Sequence, residues 1–121
     1  MYIQMSTQEL VVYIVINNDV NMGKGKIVAQ ACHVIAEMTA KLISNKPGLW
    51  LAYIRDGTHP KICLKATSIQ MEELKNKYQG NVFYVHDAGR TQVPSGTLTA
   101  LAFPPMLRSE VYAELTSLKL L

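Results

Sequence analysis

The sequence predicts an α/β domain, a small mostly parallel or mixed sheet with helices on both faces. Three observations carry that expectation. Apolar, β-branched runs alternate along the chain with stretches of helical periodicity. The breaks between them are short and rich in Gly, Pro, Asn and Asp. The 121 residues, 49% of them hydrophobic, suffice for one buried core and leave no room for two domains.

Leu10 to Ile16 (LVVYIVI) is a continuous β-branched run, read as a strand buried on both faces. Asn17-Asn18-Asp19 is a polar turn, and Gly23-Lys24-Gly25-Lys26 opens a long helix that ends near Asn45-Lys46-Pro47-Gly48. At about 100° per residue, Ile27, Ala31, Val34, Met38 and Leu42 fall on one side of it. Lys26, Gln30, His33, Glu37 and Lys41 line the opposite side. A shorter helical stretch follows around Leu49 to Ile54, then a loop at Asp56–Pro60 and a second strand from Lys61 to Ala66. Ser68 reads as the N-cap of a helix whose apolar face is Met71, Leu74 and Tyr78, stopped by Gly80-Asn81. Val82 to Val85 is a third strand, Asp87 to Gly96 a loop, and Thr97 to Phe103 a fourth strand. Pro104-Pro105 breaks the chain before a final helix, roughly Leu107 to Leu115. No repeat or low-complexity tract interrupts this order. Such alternation collects loops at one edge of the sheet, where ligands usually bind.

The net charge of +3 is modest, but its distribution is uneven. Val20 to Ala36 holds two lysines and no acid, and Arg90 is the only charge from Ala88 to Leu107. Cys32 and Cys63 form no C-x-x-C pair and no zinc-ligand spacing, so free, packed thiols in a reducing compartment are expected. Residues 1–9 are polar and read as a flexible N-terminus ahead of a domain over 10–121. No signal peptide is evident, and no stretch approaches the ~18 apolar residues of a spanning helix. A cytoplasmic protein is expected.

Two motifs carry possible chemistry. In Met22-Gly23-Lys24-Gly25-Lys26, glycines between a strand and a helix let backbone N–H groups approach an anion, and the helix terminus and two lysines add positive charge. The spacing is neither that of a Walker A loop nor, with Val28 in place of a third glycine, that of a dinucleotide fingerprint. On spacing alone, an ordinary turn with solvated lysines fits better. Lys26, Gln30 and His33 lie within about 60° of one another on the helix and can address one ligand together. Cys32 falls toward the packed side, which argues against a Cys32–His33 pair. In Asp87-Ala88-Gly89-Arg90-Thr91-Gln92, a carboxylate, a guanidinium and a hydroxyl follow a buried strand. Asp can orient or deprotonate water, Thr can position it and Arg can clamp phosphate. A hydrogen-bonded turn in which Arg90 pairs with Asp87 fits equally well. His33, His59 and His86 are scattered, and no metal or cofactor is implied.

MGKGKIVAQACH (Met22 to His33) resembles the M-G-K-G-K-x-x-x-Q-x-x-H signature of the type-2 (archaeal and eukaryotic) peptidyl-tRNA hydrolases. HDAGRTQVPSGT (His86 to Thr97) resembles that family's D-A-G-R-T-Q loop, and the likeness extends from Leu10 to Leu121. The resemblance implies a mixed four-stranded sheet flanked by helices, often dimeric, and hydrolysis of the ester between a peptide and the terminal ribose of tRNA without metal or cofactor. It assigns catalysis to Lys26, Asp87 and Thr91, and supporting sites to Gln30 and His33. Gly23, Lys24, Gly25, Arg90 and Gln92 would line the RNA-facing cleft. Water would attack the ester directly, with Asp87 orienting or deprotonating it, Lys26 stabilising the oxyanion and Thr91 positioning one of the two. The chain departs from the pattern at Asn17, where an RNA-facing Arg is usual, at Val34 and Ile35, where alanines are usual, and in Val93-Pro94-Ser95-Gly96. A homologue that binds tRNA or a protein partner without turnover is the alternative; retention of Lys26, Asp87 and Thr91 argues for the enzyme.

Overall fold

The computed structural model describes residues 9–55, 57–88 and 94–121. The strands are β1 (Leu10–Asn17), β2 (Lys61–Ala66), β3 (Phe83–His86), β4 (Leu98–Ala102), β5 (Met106–Leu107) and β6 (Lys119–Leu120). The helices are α1 (Lys24–Asn45), α2 (Pro47–Ile54), α3 (Ser68–Lys77) and α4 (Ala113–Thr116), with a 3-10 turn at Arg108–Glu110. The sheet runs β3-β4-β1-β2-β6, with β5 pairing the start of β1. β1 and β2 are parallel, and β4 is antiparallel to both β1 and β3. The expected α/β domain with a mixed sheet is therefore present, with six strands rather than four.

β1 shows why both faces are covered. Val11, Tyr13 and Val15 pack with Met71 and Leu74 of α3 and Leu115 of α4. Val12, Ile14 and Ile16 point the other way, against Val34, Met38 and Leu42 of α1 and Tyr53 of α2. All six are buried, each contributing roughly 1.5–3 kcal/mol as an apolar side chain removed from water. Ala100 and Ala102 of β4 present small side chains to the α1 face. α2 starts with Pro47 in its first turn, a position where the missing N–H is not needed.

Several expectations need correction. The N-cap of α3 is Thr67, not Ser68: Thr67 accepts from the Gln70 N–H, and Gln70 accepts from the Thr67 N–H in a capping box. The predicted helix over 107–115 is mostly not helical. Met106 and Leu107 pair with Val11 and Leu10, and only Ala113–Thr116 forms a helix. Aromatic packing fixes this segment. Tyr112 stacks on Tyr78 with ring centroids 3.9 Å apart, and Phe103 meets both edge-on. The two cysteines are exposed rather than packed. Cys32 lies on the outer side of α1, and Cys63 on an exposed position of β2.

α1 also differs from the expectation that no segment could span a membrane. Its 22 residues pass that test by length and composition, with a window of mean hydropathy 1.2. In the fold it seats Val34, Met38 and Leu42 on the sheet and carries Lys24, Lys26, Glu37 and Lys41. The reading for residues 1–8 lies outside the described residues. Glu9, grouped with them, is tied to Arg108 by a backbone bond of 3.0 Å and an ion pair of 3.1 Å.

Candidate active site

The carboxyl ends of β1, β2 and β3 and the amino end of β4 lie at one edge of the sheet, because β4 runs against its neighbours. Both motifs are carried there. The first follows β1, where Gly23 caps α1 in an extended conformation (φ −70°, ψ 168°). No side-chain hydrogen bond caps this helix and its own first turn contains no acid, so its N-terminal end adds partial positive charge at this edge. Gly23, Lys24 and Gly25 are exposed at this terminus.

The second motif follows β3. Phe83, Val85 and Asp87 alternate onto the α1 side of the sheet, while Tyr84 and His86 face away and are exposed. Asp87 fastens the base of its loop. Its N–H donates to the Thr97 carbonyl and its carbonyl accepts from the Gly96 N–H, both at 2.8 Å. Gly96 adopts φ +85°, a left-handed conformation that glycine takes without penalty.

Lys26 and Asp87, 61 residues apart in sequence, meet in an ion pair between Nζ and Oδ1. The lysine side chain is 14% exposed and the aspartate 2%. Helical geometry explains how a lysine reaches this position. Lys26 extends the i, i+4 row Gln30, Val34, Met38, Leu42 that packs on the sheet, so it forms the polar end of the core-facing stripe.

Gln30 corrects the sequence reading. It does not sit on a solvated face but is 7% exposed and donates to Thr99 Oγ1 at 2.7 Å. Thr99 is fully buried, and its hydroxyl lies 3.3 Å from the Val85 carbonyl, to which it donates. The pairing register explains its orientation. Val85 faces Ala100 but His86 faces Leu98, so Thr99 is the extra residue of a β-bulge. The bulge turns Thr99, the second residue of the strand, toward α1 behind the Lys26–Asp87 pair. Sequence reasoning missed Thr99. The available signal was a hydroxyl inside the apolar run LTALA, since a buried hydroxyl requires a partner.

His33 is exposed on the same flank of α1 as Lys26 and further along it. Asn17, expected to mark a missing RNA-facing charge, is only 3% exposed. Its amide donates to the Leu98 carbonyl at 2.9 Å and to Ser68 Oγ at 3.1 Å, while its oxygen accepts from the Asp19 N–H. The position joins β1 to β4 and α3 inside the molecule, where an arginine charge would have no comparable fit. Arg90, Thr91 and Gln92 lie outside the described residues. Among the described residues, no group of three His, Cys, Asp or Glu side chains could hold a metal ion.

The model of the family described as "Peptidyl-tRNA hydrolase PTH2" matches residues 10–121. The chain belongs to this family. It is 32% identical to the peptidyl-tRNA hydrolase of Saccharolobus solfataricus over 89% of its own length and 96% of the relative. The corresponding proteins of Sulfurisphaera tokodaii and Saccharolobus islandicus are 31% identical, each over 76% of this chain and 82% of the relative. Family membership makes the chain an ester hydrolase of peptidyl-tRNA, and nothing in the fold favours the binding-only alternative.

Proposed function

We propose that the Lys26–Asp87 pair is the centre at which the ester of peptidyl-tRNA is hydrolysed. The observation behind this reading is the buried pairing of a lysine and a carboxylate from the two family motifs, at the sheet edge that also presents the α1 N-terminus. A buried ion pair seldom repays the desolvation of its two charges in stability. Its placement where a ligand can enter suits chemistry better than support.

The reaction proceeds by attack of water on the ester carbonyl. As the carbonyl enters, the Lys26 ammonium turns toward its oxygen and the Asp87 carboxylate takes a proton from water. The water oxygen bonds to the carbonyl carbon, and the oxyanion is held by Lys26. Collapse breaks the bond to the ribose oxygen, which receives the proton from Asp87. The products are free tRNA and a peptide with a carboxyl terminus, and Asp87 returns as a carboxylate. A preorganised donor at the oxyanion contributes about 3–4 kcal/mol of barrier lowering. Thr91 positions the water or the carbonyl.

Gln30 and Thr99 act from behind, fixing α1 to β4 so that Lys26 and Asp87 keep their spacing. The tRNA passes over the exposed Gly23-Lys24-Gly25 turn, with His33 further along α1; Arg90 and Gln92 are assigned to the same role by their match to the family motif. Gly25 supports this path. A Cβ at that position would meet nothing within 4 Å, so packing does not explain a glycine inside a helix. Close approach of a partner from outside does. The enzyme is placed in the cytoplasm, and a homodimer, checked by sedimentation, is part of the same proposal.

Purified protein incubated with N-acetyl-aminoacyl-tRNA should release free tRNA. Lys26→Ala and Asp87→Asn should each abolish most of that release while still binding tRNA in a salt-sensitive manner. Salt-sensitive binding by the unmodified protein with no release would contradict the reading.

A further inference from the structure

The substrate has two parts, and the arrangement above accounts only for the RNA and the ester. β3 lies at the outer edge of the sheet, and among the described residues no strand pairs with its far side. Its backbone there is a template of N–H and C=O groups about 13 Å long at ~3.3 Å per residue. It leads directly into Asp87.

α1 overhangs this edge. Lys26 at its start reaches Asp87, just beyond the end of β3. Lys41, four turns on, lines a small cavity of about 80 Å³ together with Phe83 at the start of β3. The helix therefore runs antiparallel to β3 along its whole length. At about 100° per residue, His33, Glu37, Ala40 and Lys41 lie within about 60° of Lys26 on this flank. They line, with Cys32 and Ala36, a shallow groove of about 500 Å³ on the outer surface of α1 itself, beside the flank that faces β3. On the opposite face of the edge, Tyr84 is 41% exposed and meets the exposed His86 ring edge-on at 5.5 Å.

We infer that the peptide moiety of the substrate lies extended along the free edge of β3, under the flank of α1. This rests on the hydrolase reading. The direction follows from geometry. A strand parallel to β3 ends beside Asp87, which delivers the C-terminal ester carbonyl to the Lys26–Asp87 pair. An antiparallel strand would leave the ester at the Phe83 end, about 13 Å away. Recognition through main-chain hydrogen bonds gives affinity without reading side chains, as in other cases of strand addition to a sheet edge. Small Ala36 and Ala40 beside the mixed charges of Glu37 and Lys41 leave room for varied side chains.

The test compares N-acetyl-alanyl-tRNA with N-acetyl-tetraalanyl-tRNA on the full chain. Two or three main-chain hydrogen bonds should raise kcat/KM for the longer substrate about tenfold, chiefly through KM. N-methylation of the alanine amides that face β3 should remove the advantage. In Ala40→Trp, folded by its melting temperature, the ratio between the two substrates should fall toward one. Equal kcat/KM for both substrates, or an advantage that survives N-methylation at every amide, would overturn this inference while leaving the hydrolase reading intact. No turnover of either substrate would overturn both.

Discussion

Two lysine–carboxylate pairs join distant parts of this chain in opposite surroundings. Lys26 and Asp87 are 14% and 2% exposed at the sheet edge where both family motifs meet. Lys77 and Glu114 are 61% and 37% exposed, between α3 and α4 on the other face. The second pair is embedded in a stabilising arrangement: Tyr78 also donates to Glu114 at 2.6 Å and stacks on Tyr112. It staples the C-terminal segment to α3. The first pair has a polar scaffold behind it, in Gln30 and Thr99, and the exposed start of α1 beside it. The same two functional groups are thus an accessory to packing in one place and the proposed site in the other. What separates them is burial, and the position of the first pair beside the exposed start of α1.

The largest expected effect breaks the comparison at its functional side. Lys26→Ala or Asp87→Asn should lower kcat/KM for N-acetyl-aminoacyl-tRNA on the order of 100- to 1,000-fold. Lys77→Ala and Glu114→Gln should leave it unchanged. Comparable losses at both pairs would show that stability, not chemistry, is being measured.

The polar scaffold comes next. Thr99→Val strands the buried Gln30 amide, and Gln30→Leu strands the Thr99 hydroxyl in part, since Val85 still accepts from it. Each single change should cost about 1–3 kcal/mol in urea unfolding, and the double variant less than the sum of the two. Strict additivity would mean that the bond does not couple α1 to β4.

Gly25→Ala should stabilise the protein by about 1 kcal/mol, because the new methyl meets nothing in the fold. The same change should weaken tRNA binding. A variant both more stable and equally active would remove Gly25 from the RNA path.

The smallest effect belongs to the exposed pair and is a matter of pH. The Lys77 hydrogen bond, and then that of Tyr78, hold the Glu114 carboxyl down at about 2, against an ordinary value of 4.5. The unfolded chain therefore takes up this proton first as acid is added. The contribution of Glu114 is complete above about pH 4.5 and is lost as pH falls toward 2. Melting curves of Glu114→Gln should lack that segment of the acid dependence.

Much of this was legible in the sequence. The β-branched run of β1, the α1 stripe and the two motifs gave the layered fold and brought Lys26 and Asp87 forward. What stayed hidden depends on register and tertiary contact. Helical angles placed Gln30 with His33 on a polar face, but a 22-residue helix wedged over β3 and β4 buries a wider arc than its apolar residues mark. Thr99 could not be aimed at α1 without the bulge opposite Val85 and His86, because simple alternation cannot anticipate an extra residue. Cys32 was assigned to the packed side, but at about 100° per residue it lies roughly 80° beyond Leu42, the nearest buried position, and is exposed. The C-terminal helix failed for a different reason: β5 and β6 are two-residue strands that exist only because β1 and β2 offer edges to them.

The central claim is that Lys26 and Asp87 act as one catalytic unit, and a double-mutant cycle on kcat/KM for N-acetyl-aminoacyl-tRNA tests it most directly. Lys26→Ala, Asp87→Asn and the double variant should all fall to a similar residual rate, because each removes the same transition-state arrangement. Losses that multiply in the double variant, or a Lys26→Ala protein that keeps its activity, would contradict the account.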